Sequence, residues 1–170
     1  MKGEVQTNNI KIDSKISQDQ MYDFQFCQKI VVFSNDKTKV LLAKRKGEQD
    51  YNGIFSFIGG KMEVKDKTLL NGLKREKDEE VGRTFHIRIN SKYSFNLVYV
   101  KKNGKTMILP HYFAVYDSGE INLNEEYSEF KWIDIASLAS FEPKVETVID
   151  VVNHLALLQK ALNESDFVVI

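Results

Sequence analysis

Phe57-Ile58-Gly59-Gly60-Lys61-Met62-Glu63-Val64-Lys65-Asp66 and, eight residues later, Arg75-Glu76-Lys77-Asp78-Glu79-Glu80-Val81-Gly82 are the two stretches on which the fold turns. Paired glycines at the end of an apolar run imply backbone dihedrals, or a close approach, that a side chain would forbid. From Asp66 to Val81 the pattern becomes helical. Asp66 is the expected N-cap, Leu69, Leu70 and Leu73 form an apolar side, and Gly82 stands where a C-terminal cap belongs. Gly72 within the helix costs roughly 1 kcal/mol relative to Ala, so something is expected to pack closely against it. Side chains advance by about 100 degrees per residue, which places Glu79 near about 300 degrees and Glu80 near about 40 degrees when Glu76 is zero. The three carboxylates share a face, and Asp78 points away from it.

Such a face opposes its own helix. Like charges three and four residues apart repel by roughly a few tenths of a kcal/mol, and acids near a helix C-terminus oppose the macrodipole. A bound cation removes both penalties. Three carboxylates on one turn, with positions left for water and phosphate oxygens, suit Mg²⁺ or Mn²⁺, hard ions that take oxygen ligands. The competing reading is a solvated acidic helix end that attracts only diffuse counterions, and the glutamates alone do not decide between the two.

Outward from this segment the chain alternates between strand and helix patterns. Cys27 to Phe33 and Val40 to Ala43 are β-rich runs joined by Ser34-Asn35-Asp36-Lys37, which predicts a hairpin. Further strands are expected at His86 to Ile89, Tyr93 to Val100, Met107 to Tyr116 and Phe130 to Ile133, with Lys102-Asn103-Gly104-Lys105 as a hairpin turn. After Pro143, the apolar positions Val145, Val148, Ile149, Val152, Leu155 and Leu158 recur at helical spacing and predict a second helix of roughly 20 residues. The order points to an α/β fold, an α/β/α sandwich with helices on both faces of a mixed central sheet. One domain is expected over residues 21–165, preceded by a loose N-terminal arm over 1–20 and followed by a C-terminal tail over 166–170.

Composition excludes several classes. Lys plus Arg and Asp plus Glu each number 24, so no overall field draws the protein onto long nucleic acid or an anionic membrane. No apolar run reaches the roughly 18 residues of a membrane span, and a soluble, cytoplasmic protein is the expectation. The single cysteine, Cys27, reads as a small core side chain. His86, His111 and His154 show no metal-ligand spacing and receive no role.

The glycine pair and the acidic helix together resemble the Nudix box, whose pattern is Gly, five residues, Glu, seven residues, Arg-Glu, an aliphatic residue, any residue, Glu-Glu, any residue, Gly and an aliphatic residue. Gly60, Arg75, Glu76, Glu79, Glu80 and Gly82 match. Asp66 replaces the first Glu, eight residues rather than seven separate it from Arg75, and Lys77 and Arg83 take positions that are normally aliphatic. The stem of Lys77 is expected to cover apolar surface while its ammonium reaches water. The resemblance extends from about Cys27 to Leu162 and implies a Nudix fold. It also implies hydrolysis of a nucleoside diphosphate linked to another group, with Mg²⁺ or Mn²⁺ held by Glu76, Glu79 and Glu80 and by the carbonyl of Gly60. The family's first acid braces the loop through the Arg, a role that would fall to Asp66 and Arg75. The general base would be Glu79, Glu80 or an acid from Glu125-Glu126-Tyr127-Ser128-Glu129, where spacing before Trp132 favours Glu126 over Glu129. Lys61, and less directly Lys44 and Arg45, are candidates to steady phosphate charge, and Tyr51, Phe55 and Tyr93 to stack on a base. The expected partner is a nucleotide-like small molecule. Homodimers are common among similar proteins, although nothing in this sequence compels one. The alternative is a Nudix-like module that senses a nucleotide without cleaving it.

Overall fold

The computed structural model describes residues 24–170, and the arm expected over 1–20 lies outside the described residues. Strands β1 (Phe24–Phe26), β2 (Lys29–Phe33), β3 (Lys39–Arg45) and β4 (Phe55–Ser56) precede helix α1 (Leu69–Val81). Then come β5 (His86–Asn90), β6 (Phe95–Val100), β7 (Thr106–Ser118), β8 (Tyr127–Asp134), helix α2 (Val148–Leu158) and β9 (Phe167–Val169). The strands form one mixed sheet. Parallel pairing of β2 with β7 sits beside antiparallel pairs of β3 with β8, β5 with β7 and β6 with β7. The thirteen-residue β7 is the backbone of the sheet: β1 and β6 flank its first half, and β2 and β5 its second.

Alternation along the strands sorts side chains onto two faces. One face, with Ile30, Val32, Leu41, Ala43, Ile87, Ile89 and Ala114, is covered by Leu73 and Val81 of α1. The other, with Val31, Phe33, Val40, Leu42, Phe113 and Val115, is covered by Val148, Val151, Val152 and Leu155 of α2. The result is the expected three-layer sandwich.

Four local expectations are corrected. The N-cap of α1 is Thr68, whose hydroxyl accepts from the backbone N–H of Asn71 at 3.1 Å, because the carboxylate of Asp66 is engaged elsewhere. The second helix is shorter than its apolar spacing suggested. Pro143 and Val145 exchange backbone hydrogen bonds with Phe55 at 3.0 Å each, so this stretch runs alongside β4 and helix begins only at Val148. The last residues are not a tail: β9 pairs with β5, and Ile170 is buried against the α1 face, where its carbonyl and N–H exchange bonds with Ile87. Finally, Lys77 does not carry its ammonium to water. It is fully buried, with Nζ donating to the carbonyl of Phe85 at 2.8 Å and pairing with Asp78 at 2.5 Å.

Candidate active site

The glycine pair lies along the edge of β2. Residues 58–61 run antiparallel to 27–30, with the N–H of Gln28 donating to Gly60 and that of Ile30 to Ile58. Gly59 has φ +113°, and a Cβ there would stand 2.4 Å from the carbonyl oxygen of Gln28, so conformation and space both require glycine. At Gly60 a Cβ would fall 2.3 Å from Oε2 of Glu76. The missing side chain is the space the Glu76 carboxylate occupies. Gly72 is explained in the same way, since a Cβ would meet Oε1 of the buried Gln28 at 2.4 Å.

Glu80 is the most enclosed acid of the helix, with 2% exposure. The backbone N–H of Gly59 donates to its Oε2, and the hydroxyl of Tyr127 donates to Oε1 at 2.9 Å. Burial raises its proton affinity, while Lys29 and Arg45 nearby pull it back down. Glu76 is raised too, by burial first and then by repulsion from Glu80. These two carboxylates converge on the glycine turn from one helical turn apart, as the wheel predicted.

Glu79 does not join them. It is exposed and bound to Nη1 of Arg75 at 3.0 Å. Among the described residues no three acidic, histidine or cysteine side chains close on a single point. The expectation that all three glutamates would converge is thus met by two. The reason is Arg75, whose Nη1 also contacts Glu76 at 2.8 Å and therefore stands between the two acids. The remainder of its guanidinium braces the loop, with Nε and Nη2 on Asp66 at 3.0 and 2.8 Å and Nη2 on the carbonyl of Lys61 at 2.8 Å. Asp66, shorter than Glu, nonetheless reaches Arg75 from the turn before the helix. Arg75 holds the Asp66 carboxyl below the usual range.

The remaining candidates separate by face. Glu126 stands on the α1 side, exposed, 3.7 Å from Nη1 of Arg45. Glu129 is on the opposite side, paired with Lys44 and Lys131, whose ammoniums lie over Phe55. Lys61 is exposed, with its carbonyl spent on Arg75. The carbonyl of Gly60 accepts from Gln28 at 2.8 Å, and its oxygen carries a second lone pair. Phe55 is core, Tyr51 packs on Tyr99 with ring centroids 5.5 Å apart, and Tyr93 is exposed.

Sequence reasoning missed Tyr127 and undervalued Arg45. Both are buried, and the guanidinium of Arg45 lies 5.1 Å from the Tyr127 ring centroid while binding Glu48 at 2.5 Å. Only an inward-facing arginine at the end of an apolar strand could have signalled this.

The donor set fits a hard divalent cation. It consists of oxygens only and includes two carboxylates whose charge burial disfavours, Glu76 further by repulsion from Glu80, with the Glu76 carboxylate seated in the space a side chain at Gly60 would fill. The sequence matches the NUDIX domain family over residues 29–154. The chain belongs to that family. As a Nudix hydrolase it is an enzyme acting on nucleoside diphosphate derivatives.

Solved Nudix structures share its fold. A MutT protein from Methanosarcina mazei superposes with TM-score 0.66 at 19% identity, covering 81% of this chain and 96% of that one. An Ap4A hydrolase from C. elegans gives 0.63 at 14%, covering 81% and 99%. The NUDIX domain of NrtR from Shewanella oneidensis, solved with ADP ribose, gives 0.61 at 16%, covering 88% and 95%. A search among curated proteins found no match. No described helix of this Nudix chain is long and apolar enough to cross a membrane.

Proposed function

We propose that this Nudix hydrolase is metal-dependent and cleaves a phosphoanhydride bond in a nucleoside triphosphate, dinucleoside polyphosphate or nucleotide sugar, with water attacking phosphorus. The observation that carries this reading is the pair Glu76 and Glu80, two carboxylates buried against a turn that only glycines can form. Structural stability gives no reason to bury two like charges together, whereas cation binding does. Mg²⁺ or Mn²⁺ would be held by Glu76 and Glu80, by Glu79 once released from Arg75, and by the second lone pair of the Gly60 carbonyl. When bound, the cation supplies Lewis-acid stabilisation of charge on phosphate oxygens and makes water a stronger acid.

The chain's own groups supply the remainder. Glu80, held by the Gly59 N–H and the Tyr127 hydroxyl, serves as an anchor for the cation. Glu126 is exposed on the correct face and is the acid best placed to take the proton. Arg45 beside it, and Lys61 at the mouth of the turn, meet the negative charge of the phosphates. Arg75 holds the loop to the helix through Asp66 and the Lys61 carbonyl.

The test is a panel of nucleoside triphosphates, dinucleoside polyphosphates and nucleotide sugars incubated with purified protein and Mg²⁺ or Mn²⁺. Release of phosphate, pyrophosphate or nucleoside monophosphate, abolished by chelation, is the expected result. Turnover unaffected by chelator would overturn the metal dependence. Tight metal-independent binding of an ADP-ribose-like ligand without turnover would favour a sensing module instead.

A further inference from the structure

We infer that Tyr127 is a positioning residue for Glu80, its phenolic hydroxyl fixing the carboxylate in the orientation from which a divalent cation is bound. The inference rests on the metal reading above.

Glu80 has three rotatable side-chain bonds, and ordering such a chain costs roughly 1.5–2 kcal/mol. In this protein that ordering is built in. Each carboxylate oxygen already has one donor, Gly59 N–H on Oε2 and Tyr127 O–H on Oε1. One hydrogen bond per oxygen restrains rotation of the carboxylate plane and leaves each oxygen a second lone pair.

The tyrosine is itself held. Its ring is buried with 4% exposure and lies beneath the guanidinium of Arg45, 5.1 Å from the ring centroid. The loop before it is clamped to the same end of the helix that carries Glu80: Asn122 N–H donates to the Val81 carbonyl at 2.9 Å and Asn124 N–H to the Glu80 carbonyl at 3.1 Å. The backbone and the carboxylate of Glu80 are thus bound by one continuous segment, 122–127. A ring placed only for packing would need no hydroxyl here, and Phe would fill the same space.

The experiment titrates the 170-residue chain with Mn²⁺ in the absence of nucleotide, following free Mn²⁺ by electron paramagnetic resonance. Wild type, Tyr127→Phe, Glu80→Gln and Glu76→Gln are compared, each checked by circular dichroism and thermal melting. Outer partners of a metal ligand typically set affinity by about 10- to 100-fold, and a loss in that range is expected for Tyr127→Phe at nearly unchanged melting temperature. In turnover assays the same variant should need more Mn²⁺ to reach half-maximal rate and recover most of kcat at saturation. Wild-type Mn²⁺ affinity in Tyr127→Phe, with binding lost in Glu80→Gln, would overturn the role of Tyr127 and leave the metal reading standing. Wild-type affinity in Glu80→Gln and Glu76→Gln would remove the metal reading and this inference with it.

Discussion

The two faces of the sheet are built on opposite terms. Helix α2 lies on a layer of Val31, Phe33, Val40, Leu42, Phe113 and Val115, contributing Val148, Val151, Val152 and Leu155, all fully buried. Helix α1 buries Leu73 and Val81, but also Glu76, Lys77 and Glu80, above a layer that holds Arg45 and Gln28. Burying a side chain such as Leu stabilises by about 1.5–3 kcal/mol, whereas a buried ion pair is often no better than the hydrocarbon that would replace it. The α2 face therefore carries stability. The charges of the α1 face are retained for what they do.

The sharpest break of that comparison exchanges one residue on each side. Glu80→Gln keeps the shape and removes the charge, and turnover should fall by about 10²- to 10³-fold, ~3–4 kcal/mol of activation free energy. The melting temperature should hold or rise, because a buried charge has been removed. Leu155→Ala should do the reverse, lowering unfolding free energy by about 2–5 kcal/mol while leaving kcat unchanged below the transition. Urea unfolding and steady-state assays on the same two proteins read both quantities. If Glu80→Gln unfolds the protein, the polar layer is structural and the division between faces fails.

A second measurement sharpens the contrast through the polar group that underlies the apolar side. His111 on β7 packs edge-on against Phe57, and burial, helped by the charge of Lys29, pushes its imidazole down to about 4 from 6.5. The neutral ring is the folded form. Between pH 6.5 and 4 the unfolded chain takes up a proton that the folded one refuses, so this contribution is complete above pH 6.5 and is lost as pH falls toward 4. It amounts to about 3 kcal/mol over that window. His111→Gln should unfold with a correspondingly flatter dependence on pH, measured by urea titration at several pH values. Equal slopes for the two proteins would show that His111 is solvated.

How much of this was legible in the sequence differs between the faces. The α2 layer was readable because apolar periodicity and burial are the same signal, as Val148, Val152 and Leu155 show, although the start of α2 was misplaced where residues 143–145 bond to Phe55 instead. On the α1 side the glycine pair and the spacing of Glu76 and Glu80 were readable because both are local. What was hidden depends on contacts distant along the chain. Tyr127 lies 47 positions from Glu80, and nothing near it marks a tyrosine whose hydroxyl meets a carboxylate. The partner of Glu79 was hidden too, because a helical wheel fixes direction but not partners, and Arg75 binds it from four residues away.

Lys77 tests whether every charge under α1 belongs to the site. It replaces an aliphatic residue of the Nudix box and is as buried as Glu80, yet its ammonium is turned from the glycines toward the far end of the helix. There it donates to Phe85 O at 2.8 Å and Gly82 O at 3.4 Å, beyond the last turn, and neutralises Asp78. A cation at a helix C-terminus is favourable by roughly 0.3–1 kcal/mol, and removing it leaves the Phe85 carbonyl without this donor. Lys77→Met restores hydrocarbon, which offsets part of that loss because burying an ammonium is itself unfavourable. The net change should be a destabilisation of about 1 kcal/mol, seen as a small fall in melting temperature, with Mn²⁺ affinity and kcat/KM as in wild type. A tenfold drop in either would place Lys77 with Glu76 and Glu80 rather than with the capping of the helix.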